Sequence, residues 1–465
     1  MEIRCYRRYI QTVTRKGFVT IILLFVFCAS ATGFELTDIP FGLADMFGSD
    51  EVENTGLTVF PTLLIPTGGE YEAMGTAYTA LARDISFFEA NPAASSRLPN
   101  TMAAIMHNNL IADANMEGLW YTTRFEHFGL GGGIKFLHVP FTEYNEAAEQ
   151  EASIRYTETV AVLNASYNFL HSFDFQGVSL GANVKVAHRN IPEVIAPGQS
   201  AFGFMMDVGA LTRFDVAKFY PSREKNFSVG IAARNLGPAV KEEPLPSYAT
   251  LGIAYAPIQP ITIAIDYNYP FILFSELPAQ RPYIATGLTA QVTDFLSTQL
   301  GFMVRAGNPR ISLGTGLALE QVKLNMNYTL DMTTQTDAVD RFSIQASFDM
   351  GDRGRGDRAQ MVEDYYLRSL VAFAEGNVDE TIRLAGNALE LDPTFQPAAE
   401  TLASAQRLQT LQRRMSAIRL GEDDVFVEGV EDATTEGGSE EGGSPPDEAP
   451  EADSAPEAGT QPENP

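Results

Sequence analysis

The sequence predicts an all-β transmembrane barrel of fourteen antiparallel strands, preceded by a short helical segment and followed by a small all-α module and a disordered acidic tail. Three observations predict it. Between residues 99 and 352 apolar and polar side chains alternate with period two, the mark of a strand with one oily and one polar face. The alternating segments run about ten residues, the length a tilted strand needs to cross a bilayer. Their number is even, as in single-chain bacterial barrels.

Residues 1–31 read as a secretory signal peptide. Arg4, Arg7, Arg8, Arg15 and Lys16 form a basic region, "GFVTIILLFVF" (17–27) is an apolar run too short to span, and Ala29-Ser30-Ala31 fits an A-x-A cleavage site. A lipoprotein signal at Cys28 is the rival reading, but bulky Phe27 precedes that cysteine. Cys5 and Cys28 are the only cysteines, so the mature chain offers no disulfide, thiol nucleophile or thiolate metal site.

Residues 32–98 are loopy, then briefly helical. In "LLIPTGGEYEAMGTAYTALARDISFFEANPAASSRLP" (63–99), Gly75, Ala77, Ala80 and Ala82 suit a closely packed helix. That helix must end by Asn91, because a residue before proline is pushed out of the helical region. Such a segment either covers the barrel mouth or plugs the lumen.

Residues 99–352 are the barrel. In "VKLNMNYTLDM" (322–332), Val322, Leu324, Met326, Tyr328, Leu330 and Met332 fall on one side and Lys323, Asn325, Asn327, Thr329 and Asp331 on the other. "RFSIQASFDM" (341–350) and "ITIAIDYNY" (261–269) repeat the pattern. The strands are expected at 101–111, 116–124, 127–138, 156–169, 175–188, 201–215, 226–235, 247–257, 260–269, 282–292, 295–305, 310–320, 322–332 and 338–350. A periplasmic sandwich also alternates. The polar sides here, with Lys, Asp, Asn and Gln beside Gly and Ala, suit a wet lumen instead, and 17 Tyr and 30 Phe are enough for interfacial girdles.

Residues 359–419 switch to a helical period. "MVEDYYLRSLVAFAEGNVDETIRLAGNALELDPTFQPAAETLASAQRLQ" (361–409) resembles a tetratricopeptide repeat. Ala372 and Phe373 precede Gly376, Ala385 and Ala388 lie on the second helix, Leu391-Asp392-Pro393 closes the unit, and Pro397-Ala398 opens the next. The resemblance implies protein binding or self-association. An amphipathic helical hairpin is the plainer alternative.

Residues 420–465 form the tail. The net charge is −27, and residues 421–465 hold 15 Asp and Glu with no Lys or Arg. Such a stretch cannot bury enough apolar surface to fold. With no basic face to offset that charge, nucleic acid is excluded as a partner.

Nothing argues for an enzyme or a cofactor. His107, His127, His138, His171 and His188 show no metal-ligand spacing, so no metal site is expected. "GLGGGIKF" (129–136) lacks the G-K-[ST] and following helix of a phosphate loop. There is no nucleophilic-serine motif.

One run ties the chain to a known family. Met74-Gly75-Thr76-Ala77-Tyr78-Thr79-Ala80-Leu81-Ala82-Arg83-Asp84, followed by Asn91-Pro92-Ala93, resembles the signature of the FadL-like outer-membrane transporters of long-chain fatty acids and other hydrophobic compounds. It is most similar to a spirochaete branch that forms an uncharacterised protein family. The resemblance covers about residues 57–350 and implies a fourteen-stranded barrel plugged by an N-terminal hatch, with Asp84, Asn91, Pro92 and Ala93 in that hatch. In the family a kink in the third strand opens the wall sideways. The resemblance places this lateral gate at Gly129, Gly131, Gly132 and Gly133, although the same glycines also suit close packing against the hatch. Ala94 stands where the family often has Gly, the long segment 32–62 leaves the start of the hatch open, and the helical module and the tail are additions. A sister group with the same signature serves protein secretion.

The expectation is uptake of long-chain fatty acids or similar molecules across the bacterial outer membrane, with hatch and helical module on the periplasmic side. Val160 and Val162 beside Asn164 and Ser166 would line the path, with Lys185, Lys323 and Arg341 as candidate ligand anchors. The alternatives are an outer-membrane scaffold presenting the repeat module to a periplasmic partner, and a general aqueous pore.

Overall fold

The computed structural model describes residues 58–425 apart from 145–149, 223, 274–279, 306–307 and 333–338. The expected leader, residues 32–57 and the tail beyond 425 lie outside the described residues. The chain divides into two compact units, residues 1–405 and 406–465.

Fourteen strands form in chain order: β1 Met102–Asn109, β2 Asn115–Phe125, β3 Phe128–Tyr144, β4 Gln150–Phe169, β5 Val178–Asn190, β6 Ala201–Phe214, β7 Phe227–Leu236, β8 Ser247–Ile258, β9 Ile261–Phe271, β10 Tyr283–Gln291, β11 Leu296–Arg305, β12 Asn308–Leu319, β13 Val322–Asp331 and β14 Val339–Asp349. Each pairs antiparallel with its sequence neighbours, and β1 closes on β14 from Met102↔Asp349 to Asn109↔Phe342. Closure leaves no unpaired edge, which a sheet in hydrocarbon requires. Each of the fourteen expected segments holds one strand. The largest departure is β3–β4, which continues as a long ribbon past the expected ends at 138 and 156.

The faces are reversed relative to a soluble barrel. Asn325, Asn327, Ser343, Gln345, Asp266 and Asn268 point inward and are buried, while Tyr328, Phe342, Phe348, Ile265, Tyr267 and Tyr269 stand exposed outside. A continuous apolar exterior around a polar interior is the surface of a bilayer-spanning barrel. Among the described residues no helix is long and apolar enough to cross a membrane.

The segment 58–98 fills the interior, and here the sequence expectation is corrected. It is not one helix. It holds single turns, α1 Gly69–Ala73 and α2 Phe87–Ala90, and two 3-10 turns, Pro61–Leu64 and Pro92–Arg97. Left-handed Gly75, Thr76 and Ala82 break the run between them. The reason lies in the walls, whose inward polar side chains take over the backbone bonds a helix would make. Asp266 accepts from the amides of Tyr78 (3.1 Å) and Thr79 (2.9 Å). Asn327, Asn183 and Asn164 donate to the carbonyls of Gly69, Phe88 and Pro92, each at 2.9 Å. The stop at Asn91 is where it was expected. That residue is extended (φ −154°, ψ 111°) and caps the following turn by accepting from Ala93 N.

Beyond the barrel come α3 Arg355–Ala374, α4 Val378–Leu391 and α5 Gln396–Val425. Gly376, at φ 79°, makes the turn after α3, and the Asn377 side chain caps α4. Val362, Ala388 and Ala398 join the three helices in one small core with Tyr366 and Phe395. α5 continues past the expected end at 419. The hairpin is tied to one barrel rim. Arg358 pairs with Glu126 (2.6 Å), Arg353 lies over the Phe125 ring (4.3 Å), and Phe395 meets Phe173 edge-on at 5.3 Å. In the second unit, the described part of α5 is a helix through Val425.

Candidate functional site

The lumen segment touches the wall where the wall has no side chain. A Cβ on Gly129 would stand 2.3 Å from Ser95 and Ser96, one on Gly181 2.3 Å from Pro92 O, one on Gly230 2.3 Å from Thr79 O, and one on Gly301 2.0 Å from Gly75 N. Backbone therefore packs on backbone from β3 round to β11.

Buried ion pairs fasten the same segment. Glu70 is bound by Arg83 (Nε–Oε2 2.9 Å), with Lys323 at 3.8 Å, and Glu72 by Arg341 at 2.7 Å. Burial alone would push the Glu70 carboxyl up, but the Arg83 and Lys323 charges outweigh it and hold it at about 2. Glu89 takes Lys135 Nζ at 2.6 Å. Asp84 is buried, accepts from Ser86 N at 3.0 Å through Oδ1, and has no partner on Oδ2 among the described residues. Burial pushes that carboxyl up.

Between the segment and the wall lies a narrow cleft. One side is Leu63, Leu64, Ile65 and Pro66. The other is Trp120 on β2, Lys135 on β3, Val160 and Val162 on β4, Lys185 on β5, Arg234 and Asn235 on β7, and Tyr248 on β8, and Tyr71, Phe88 and Glu89 of the segment also line it. Apolar side chains share this lining with the charged Glu89, Lys135, Lys185 and Arg234. Phe88 stacks on Trp120 with ring centroids 4.8 Å apart.

The sequence-expected residues fall as follows. Asn91, Pro92 and Ala93 are fully enclosed, and Asn91 Nδ2 donates to Thr79 O and Ala210 O, both at 2.9 Å. Val160, Val162, Asn164 and Ser166 all face inward and are buried. Gly129, Gly131, Gly132 and Gly133 pair in unbroken register with both β2 and β4, and the irregularity of β3 lies at Glu143/Tyr144. Of the three expected anchors only Lys185 lines the cleft, and each is already matched by a carboxylate: Lys185 by Asp207 at 2.7 Å, Lys323 by Glu70, Arg341 by Glu72.

Sequence reasoning passed over Glu70, Glu72, Glu89, Lys135 and Arg234. A usable signal was present. Lys135 and Arg234 are charges inside spanning strands, and charges there face a lumen and mark function more often than chance. Among the described residues no cluster of His, Cys, Asp or Glu is arranged to hold a metal.

Comparison with known proteins follows the barrel and its lumen segment. The pattern of the Uncharacterised protein family (UPF0164) matches residues 44–351. A "UPF0164 protein" of Treponema pallidum (strain Nichols) is 28% identical over 383 residues, 79% of this chain and 87% of the relative. A second from the same organism is 26% identical, covering 76% of each. Among solved structures, the CymD monoaromatic hydrocarbon channel covers 62% of this chain and 98% of its own, with 12% identity and a TM-score of 0.46. The P. putida toluene transporter TodX covers 62% and 100%, with 12% identity and a TM-score of 0.41.

Proposed function

The chain belongs to the Uncharacterised protein family (UPF0164), and from that premise we propose that it carries hydrophobic small molecules, long-chain fatty acids foremost, across a bacterial outer membrane. One observation carries this reading: a barrel with an apolar outside whose lumen holds residues 58–98 and, beside them, a cleft lined in part by Val160, Val162, Phe88, Trp120 and Leu63. A water pore does not need such a lining, and a scaffold does not need a cleft. Under this reading residues 58–98 are the hatch. Passage requires the ties at Asn91, Pro92 and Ala93 to loosen, and exit runs sideways past Gly129–Gly133 on β3.

The test is saturable binding of a fluorescent long-chain acid to refolded residues 32–465 in detergent, displaced by unlabelled acid. No saturable binding by a folded, β-rich sample ends the fatty-acid reading.

A second reading has its own support. The helices at the rim keep Leu367 and Val371 exposed on α3, at 59% and 58%. A tetratricopeptide-like module so presented would bind a periplasmic protein. Deleting residues 359–465 separates the two: pull-down of a partner is lost, and lipid binding is kept if both functions coexist. High conductance in planar bilayers favours the aqueous pore instead.

A further inference from the structure

Four guanidinium groups meet at one rim of the barrel, around the end of β2. Arg97 closes the last turn of the lumen segment, Arg124 lies at the end of β2, and Arg353 and Arg355 follow β14. Arg97, Arg124 and Arg355 are half-buried, and Arg353 is exposed. This is the end where the turns 126–127, 259–260 and 320–321 join strands by two residues. Short turns mark the periplasmic end of a bacterial barrel.

Each of the four is held by neutral groups. Arg97 donates to Gln176 Oε1 at 2.7 Å and to Gly177 O at 3.3 Å. Arg124 donates to the carbonyls of Glu126 and, at 3.4 Å, Leu98. Arg355 donates to the carbonyls of Pro99 and, at 3.1 Å, Arg124. Arg353 donates to Thr123 Oγ1 at 3.2 Å and lies over the Phe125 ring. Among the described residues no ion pair joins any of them to a carboxylate, whereas Arg83, Arg189, Arg310 and Arg341 each have one. The acids beside them in sequence are committed elsewhere. Glu126 pairs with Arg358 at 2.6 Å, and Asp352 accepts from the amides of Gly354 (2.9 Å) and Gly356 (2.6 Å).

The four charges act on one another. Burial first, then the charges of Arg213 and Arg124, pull the Arg97 guanidinium down to about 9, so it stays charged at neutral pH. Burial and Arg353 lower Arg355 in the same way, against the pull of Asp352. A cationic rim on a chain of net charge −27 runs against its composition. Arg97 and Arg124 hold the end of the lumen segment on the inner side of the wall, and Arg353 lies against Phe125 on the outer side. The group therefore straddles a strand end and faces the water beyond the turn 126–127. Lipid reaches the outer side alone. A spread of this kind matches a row of anions better than a single one.

We propose that this rim docks an acidic stretch of a soluble protein, whose carboxylates meet Arg97, Arg124, Arg353 and Arg355. Complementary charge of this kind steers a partner to its place and fixes its register. Arg355 also opens α3, so the exposed Leu367 and Val371 give the docked protein apolar surface on the same helix. The inference needs only the rim and stands whether or not the lumen carries a lipid.

The experiment titrates refolded residues 32–465, in a nonionic detergent, into a fluorescein-labelled alternating Glu–Ser decapeptide and reads its anisotropy. Saturable binding is expected, with none for the Lys–Ser counterpart. Affinity should fall at least about tenfold between about 0.05 M and about 0.5 M salt, as screening shortens the reach of each charge. Arg353 is the clean variant, because it holds no part of the lumen segment. Arg353→Gln should weaken binding about threefold, the share of one exposed ion pair, and Arg353→Lys should restore it. No saturable binding of the acidic peptide, or equal binding of both peptides, overturns the proposal. So does an affinity that neither salt nor Arg353→Gln moves. Displacement of the peptide by monomeric dihexanoyl phosphatidylglycerol would make the rim a lipid site and overturn the protein partner. Binding that appears only after residues 426–465 are removed would overturn it too, since the chain's own acids would then be the occupant.

Discussion

Trp120 lies across Gly133, its register partner on the neighbouring strand. A Cβ built on Gly133 would stand 2.1 Å from the indole Cε3. The glycine gives up its side chain so that the indole can lie flat and stack on Phe88 of the lumen segment. Gly131 does the same for Phe88, at 2.7 Å from its Cζ, whereas a Cβ on outward-facing Gly132 would come no nearer than 3.2 Å to Leu163 Cδ2 and 3.3 Å to Val162 O.

Valine substitutions should therefore split by face. Gly133→Val is expected to lower stability by about 1–3 kcal/mol, the range for overpacking a core. Gly132→Val should cost far less. Thermal midpoints in detergent check this. If Gly132→Val reduces lipid uptake at unchanged stability, the outward glycine serves the gate and not the packing.

Asn91→Ala removes two donated bonds and the cap on Ala93 N, leaving the carbonyls of Thr79 and Ala210 without that partner. Unmade buried bonds cost about 1–3 kcal/mol each. Asn91→Asp should be worse than Asn91→Ala, because a carboxylate would face both carbonyls. Denaturant midpoints of the two variants give the order.

Glu70 sets an acid limit. Its folded value near 2 lies below the ordinary 4.5, so its ionised form contributes stability that is complete above 4.5 and lost as pH falls towards 2. Glu70→Gln should be less stable than native at neutral pH and flatter across that window. Unfolding midpoints at several pH values between 6 and 2 test it, and parallel native and variant curves would show that Glu70 does not titrate there.

Phe395→Ala should loosen the helices from the rim. The ring meets both Phe173 and Tyr366 at 5.3 Å, and aromatic pairs are worth about 0.5–1.5 kcal/mol each beyond their buried area. Faster proteolysis within 355–391, with the barrel intact, is the expected outcome.

The sequence alone determined the number and order of the strands, the alternation of their faces, the stop at Asn91 and the turn at Gly376. These follow from rules that act within a few residues: pleat alternation, the clash before proline, and the left-handed freedom of glycine. It did not determine what fills the lumen or how. Small residues from 75 to 82 read as a helix because nothing nearby in sequence reveals that Asp266 will take the amides of Tyr78 and Thr79. Whether Gly129–Gly133 bend a strand or admit a neighbour cannot be read from glycines themselves. Lys323 and Arg341 looked like free anchors until closure brought Glu70 and Glu72 to them. Asn235 would face outward by alternation, and a bulge in β7 turns it inward beside Arg234. Only the closed barrel brings together charges from opposite ends of the chain, and the cost of burying them unpaired is why they meet in pairs.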